Sequence, residues 1–144
     1  MIGLYDAMAG RLRVTGLFSL VEVGHSPDAA EVYAIGAGVG ALVCPLVETA
    51  APIEAAAMIV SQQVIERVGV VLNMAFPSGF SEFEPAKQGA LATLRGWQPH
   101  PDASGPLIYA GGRTLLYDIA EDGGAWRYLL EFNVARQDRV QHQP

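Results

Sequence analysis

The chain of 144 residues contains one cysteine, Cys44, and one lysine, Lys87. A single thiol excludes an internal disulfide framework and any zinc site built from cysteines. Cations are scarce: nine Lys plus Arg stand against fifteen Asp plus Glu, a formal net charge of −6. That balance argues against a protein whose main task is to grip nucleic-acid phosphates, which takes a surplus of positive charge. Charged residues make up only 17% of the chain and hydrophobic ones 51%, which excludes a disordered polymer. No stretch reaches the roughly 18 unbroken apolar residues of a membrane helix. The longest candidate, Val32 to Val47, is interrupted by three glycines and Pro45. From Met1 to Arg13 no basic start leads into an apolar run, so no signal peptide is legible. The expectation is one soluble domain, intracellular at synthesis, with about two-thirds of its unfolded surface buried.

What is present is apolar periodicity. Ile2, Tyr5, Met8 or Ala9, and Leu12 recur at helical spacing and predict a short N-terminal helix ended by Thr15-Gly16. Leu17 to Val23 reads as a strand and Gly24 to Asp28 as a turn. Ala29 to Gly40 is ambiguous and ends in a glycine loop. Ala41 to Thr49 reads as a strand in which Pro45, lacking an N–H, points to an edge or a bulge. Ala50 to Ala57 reads as a connecting loop. Met58 to Ala75 is the clearest strand: Val64, Val68, Val70, Leu72 and Met74 share one face, broken by Glu66. At about 3.3 Å per residue it would exceed 50 Å, so it projects beyond its core or bends at Gly69. Ser81 to Arg95 predicts a helix with a Ser81/Glu84 capping box, an apolar stripe from Phe83 to Trp97, and Gly96 as its left-handed stop. Leu107 to Ile119 and Ala125 to Ala135 predict a hairpin, with Trp126, Tyr128 and Phe132 inward, followed by a polar, disordered tail over 136–144. The expected fold class is α+β over 1–135: two helices packed on one face of a mainly antiparallel or mixed four- to five-stranded sheet.

Chemical motifs are weak. Gly36-Ala37-Gly38-Val39-Gly40-Ala41 fits G-x-G-x-x-A, but a dinucleotide loop needs a helix starting inside it, and Pro45 follows too soon. Cys44 lies in an apolar run with no cation near in sequence, so it reads as a core residue and not a nucleophile. His25, His100 and His142 have no partner at metal-ligand spacing. Asp118, Glu121 and Asp122 read as a solvated turn and lack the alternating ligands of an EF-hand. No catalytic residue, cofactor or metal ligand is expected. The apolar loop from Ala50 to Ile59 and the long strand after it exceed what a small core needs, and such surplus marks either an interface or a loop folded back on the sheet.

The order and spacing of these segments resemble the tail terminator proteins of long-tailed bacteriophages. The resemblance rests on Gln63 to Val71 (QVIERVGVV) and on Leu94-Arg95-Gly96-Trp97-Gln98-Pro99. Pro106-Leu107, Gly111-Gly112-Arg113 and the final aromatic strand follow in the same order. The glycine cluster and the Ala50 to Ala57 loop lie outside it. The resemblance implies a non-enzymatic virion protein, assembled in the host cytoplasm. Six copies would form a ring that caps the head-proximal end of the tail tube and ends its polymerisation. Its implied partners are itself, the tail tube protein and a neck or head-completion protein. DNA would pass through without specific binding, and no membrane is involved. Contacts are expected at Ile53, Met58, Ile59, Gln62 and Gln63, with Arg67 and Arg113 as polar partners. The alternatives are a head–tail joining subunit or, in a different class, a small cytoplasmic ligand-binding domain or enzyme that uses the glycine loop.

Overall fold

The computed structural model describes residues 2–31, 38–50, 54–56, 59–75, 80–99, 103–118 and 124–141, with 2, 30–31, 54–56, 59–61 and 137–141 described by backbone alone. The elements are α1 (Ile2–Arg13), β1 (Leu20–Val23), β2 (Val39–Ala50), β3 (Glu54–Ala56), β4 (Ile59–Ala75), α2 (Phe83–Leu94), β5 (Ile108–Asp118) and β6 (Ala125–Gln141). Short 3-10 turns at Pro27–Glu31 and Phe80–Glu82 precede β2 and α2. The main sheet has the order β1-β2-β4-β6-β5, and β3 pairs with β4 off that path. β1 runs parallel to β2 and every other pairing is antiparallel, so the sheet is mixed and the class α+β.

Alternation along the strands sorts the apolar residues into two clusters, because successive side chains point to opposite faces. The larger takes Val39, Ala41 and Val43 from β2, then Val68, Val70, Leu72 and Met74 from β4. Leu130, Phe132 and Val134 of β6 complete its strand side. Leu4, Met8, Ala9 and Leu12 of α1 and Phe83, Ala86, Ala90 and Leu94 of α2 belong to the same cluster. The smaller cluster takes the other parity, with Leu42, Cys44, Val71 and Leu129, joined by Ala29 of the first 3-10 turn. The middle of β4 is therefore buried on both sides, and its Val68-to-Leu72 run is apolar without a break.

Several local expectations change. The Ser81/Glu84 capping box is not formed: the helix begins one turn of 3-10 backbone later, with Glu82 as N-cap and no side-chain cap bond. Gly96 does close α2, at φ +81°. Its N–H donates to the Leu107 carbonyl (2.8 Å), which ties the helix exit to the approach of β5. Pro45 fits the expected bulge: the β1 pairs end at Val43, and the ladder to β4 shifts register between Pro45 and Val47. β2 begins at Val39, inside the glycine cluster, and β3 occupies part of the expected Ala50 to Ala57 loop. β6 does not end at Ala135: it pairs with β4 to Gln141, because β4 extends to Ile59 and offers a backbone partner to polar residues. Trp97 is half-buried and packs against the larger cluster, with the Arg11 guanidinium 4.7 Å from its ring centroid. Trp126 and Tyr128 are likewise half-buried, on the rim of the core beside fully buried Phe132.

Gly69 answers a packing demand. A Cβ there would stand 2.8 Å from Leu129 Cδ1, 3.2 Å from Leu46 Cδ2 and 3.3 Å from Cys44 Sγ. The expected outcome for Gly69→Ala is a loss of about 1–3 kcal/mol in denaturant unfolding, as for other overpacked cores. The same substitution at Gly10, where nothing lies within 4 Å, should stabilise by a few tenths to about 1 kcal/mol.

Candidate interface and cleft

Register places the expected contact residues in two separate regions. β2 follows β4 only as far as the Ala50–Val64 pair. Beyond it β4 continues to Ile59, flanked by β6 to Gln141 and by β3 at Ile59, Val60 and Ser61. This three-stranded ribbon carries Ile59, Gln62 and Gln63. Gln63 is exposed and Gln62 half-buried, whereas Val64 marks the start of the core. Ile53 and Met58 lie outside the described residues.

Arg67 and Arg113 come together elsewhere, on the sheet face of the smaller cluster. They line an open cleft of about 410 Å³ with Glu131, with His25, Ser26 and Pro27 after β1, and with Pro45, Leu46 and Val47 at the β2 bulge. Four adjacent strands, β2, β4, β6 and β5, build it. Arg67 is opposite Val47 on β2 and Asn133 on β6, and Arg113 is opposite Leu129. Arg67 Nε donates to Asn133 Oδ1 (3.1 Å), which fixes the guanidinium along the sheet. Arg113 is exposed. Two arginines against one glutamate make this a cationic spot on a chain of net charge −6. Neither His25 nor Glu131 was singled out as a partner of these arginines in the sequence, because five segments far apart in the chain supply the lining.

The other face holds a polar group that sequence reading left as an interruption. Glu66 is the one charged residue among the buried ones described, 9% exposed. The Tyr5 phenol donates to its Oε1, and Arg136 lies 3.7 Å from its Oε2 while also pairing with Glu48. The group ties α1 to β4, β6 and β2. Burial first, and then the hydrogen bond to Glu66, push the Tyr5 phenol well above its ordinary range. It is a structural clamp, since buried charge needs such partners.

The glycine motif is described from Gly38 onward, and Gly36 and Ala37 lie outside the described residues. Val39, Gly40 and Ala41 are strand and not the start of a helix, so the glycine motif has no helix N-terminus to offer a pyrophosphate. Cys44 is fully buried and desolvation pushes its thiol up to about 12. Asp118 ends β5, and His100, Glu121, Asp122 and His142 lie outside the described residues. Among the described residues, no group of three His, Cys, Asp or Glu could hold a metal ion, and no helix is long and apolar enough to cross a membrane. In comparisons with known proteins, no family model matches the chain and no curated protein resembles it detectably.

A raised folded-state pKa for Cys44 means that its contribution to stability is complete below the unfolded thiol's value near 9 and is lost as pH rises towards 12. The native protein should therefore resist an aromatic disulfide reagent at pH 8 and release one thiol equivalent only on unfolding. Cys44→Ala should flatten the decline in unfolding free energy between pH 8.5 and 11, measured by urea titration (test conditions of roughly that span).

Proposed function

We propose that the chain is the subunit of a tail-terminator ring, a non-enzymatic virion protein that caps the head-proximal end of a phage tail tube. On this proposal both helices cover one face of the sheet and leave its edges and ribbon for assembly. The observation that carries it is the β3–β4–β6 ribbon, which continues past the end of β2 and the start of the core at Val64. An isolated domain gains little from a paired extension with half-buried and exposed glutamines. A ring subunit gains one of the two different patches that a head-to-tail contact requires. The segment order from QVIERVGVV to the aromatic final strand supports the same assignment. Its partners are further copies, the tube protein and a neck protein. Six copies of a chain at −6 would line a channel that repels DNA phosphates and lets the genome pass.

Deletion of the gene from its phage or prophage should give tails of uncontrolled length, unattached to filled heads, in electron micrographs of lysates. Normal-length tails that fail to join heads would instead identify a joining subunit, and normal infectious particles would exclude both. Met58→Asp and Ile59→Asp should reproduce the deletion while the purified variants melt within about 2 °C of the parent; a larger fall in melting temperature would assign both side chains to the fold and not to assembly.

A further inference from the structure

The smaller-cluster face of the sheet holds two guanidiniums that, among the described residues, no carboxylate neutralises. Arg113 is opposite Leu129 and Arg67 opposite Asn133, and Glu131 lies between those two positions on β6. Leu129, Glu131 and Asn133 are alternate residues of one strand, so the three rows face the same side. Glu131 lines the cleft with both arginines, yet among the described residues it forms an ion pair with neither. Arg67 commits its Nε to Asn133 Oδ1 and carries no further hydrogen bond among those residues, so its terminal nitrogens are left to the cleft. Beside Glu131 on β5 is Gly111, at φ +118°, with nothing within 4 Å of where a Cβ would stand, so that flank is open. The wall on the β2 side is apolar: Pro45, Leu46 and Val47 line it with Pro27, and Val47 is 55% exposed.

We propose that this cleft binds an extended acidic segment of a partner protein. Its carboxylates meet Arg67 and Arg113, and its alternate apolar side chains lie against the β2 wall. Successive side chains of an extended chain point to opposite sides, which matches a cleft with cations on one side and apolar groups on the other. Arginine clusters are a recurrent means of reading acidic motifs, because each guanidinium can take a carboxylate through two parallel bonds. The volume of about 410 Å³ is in the range of sites that hold organic ligands. An inorganic anion would leave the apolar wall in water. A long nucleic acid would bring phosphates with no apolar partner and meet the repulsion of a chain at −6. A short acidic segment meets the cleft alone.

Binding is measured by calorimetry on the purified chain, with a short blocked peptide of alternating leucine and glutamate as the probe. Its leucine–glutamine and serine–glutamate counterparts each remove one half of the recognition. The probe should bind at least about tenfold more tightly than either, the order of one charge-assisted bond or one covered apolar side chain. Arg113→Gln, at an exposed side chain, should weaken binding about tenfold and Val47→Ser about threefold. Glu131→Gln removes the one acid of the lining and should strengthen binding about threefold, a gain that a purely structural role would not produce. All three variants should melt within about 2 °C of the parent. No binding of the probe at about millimolar concentration, or binding that Arg113→Gln leaves unchanged, overturns the site. Equal binding of inorganic phosphate or a short DNA duplex, lost in Arg113→Gln, overturns the peptide as its ligand. Self-association of the parent that Arg113→Gln abolishes would seat a second copy in the cleft and overturn the separate partner. None of these readouts involves tail length, so the site and the ring assignment stand or fall separately.

Discussion

The β4–β6 ladder is the constraint on which the other parts depend. Both strands are seventeen residues long and pair without a register break from Ile59–Gln141 to Ala75–Ala125. β2 is held on the far side of β4, β5 on the far side of β6, and β3 at the end of β4. The ladder also fixes which residues share a face. It sets Val68 against Phe132 and Val70 against Leu130 in the larger cluster, and Val71 against Leu129 in the smaller. A slip of one residue would turn every one of these side chains to the wrong side. The irregularities that the structure tolerates lie in the neighbouring pairs: the Pro45 bulge in β2 and two shifts in β5.

Polar and glycine positions are explained by that frame. Glu66 interrupts an apolar stripe, yet it is opposite Glu48 and Val134 and two pairs away from Arg136 on the same face, within reach of Tyr5. Gly69 is opposite Cys44 and Glu131 at the place where Leu129 and Leu46 crowd the backbone. Arg67 and Arg113 share a cleft with Pro45, Leu46 and Val47, the segment of β2 where its register to β4 shifts. One ladder thus sets the clamp on one face and the cationic hollow on the other.

Much of the fold was legible along the chain, for a physical reason. α1 and α2 bury one stripe each, and one face of β4 is buried from Val64 to Met74, so Leu4 to Leu12, Phe83 to Leu94 and Val64 to Met74 announce their periods. The turn at Gly96 was legible because a left-handed φ favours glycine. What was not legible depends on partners distant in sequence. Val39 and Gly40 look like loop and become strand because β1 and β4 supply ladders on both sides. Arg136 to Gln141 has no alternating pattern and becomes strand by pairing with β4. Of the contact residues, Arg67 and Arg113 could be named singly, but their meeting over Glu131 follows from strand order, which local composition does not encode. The Ser81/Glu84 box fitted its motif and was overridden by a 3-10 turn that sets Phe80 and Phe83 against Trp126.

The same ladder has a consequence for the order in which the chain acquires its shape. Arg67 and Asn133 touch across 66 intervening steps of sequence, and all seventeen β4–β6 pairs span comparable distances. Non-local pairing of this kind is slow, since the entropy of closing a long loop is lost before any contact rewards it. The local β1–β2 and α1 contacts can form early, but β4 keeps one side open until β6 has been synthesised and has reached it. A nascent or slowly folding chain therefore exposes Val68, Val70 and Leu72 along an unpaired strand edge, the kind of surface that associates with other chains. The last strand in the sequence acts as the lock on the middle of the sheet, and the time taken to close it sets how long the domain is open to misassembly.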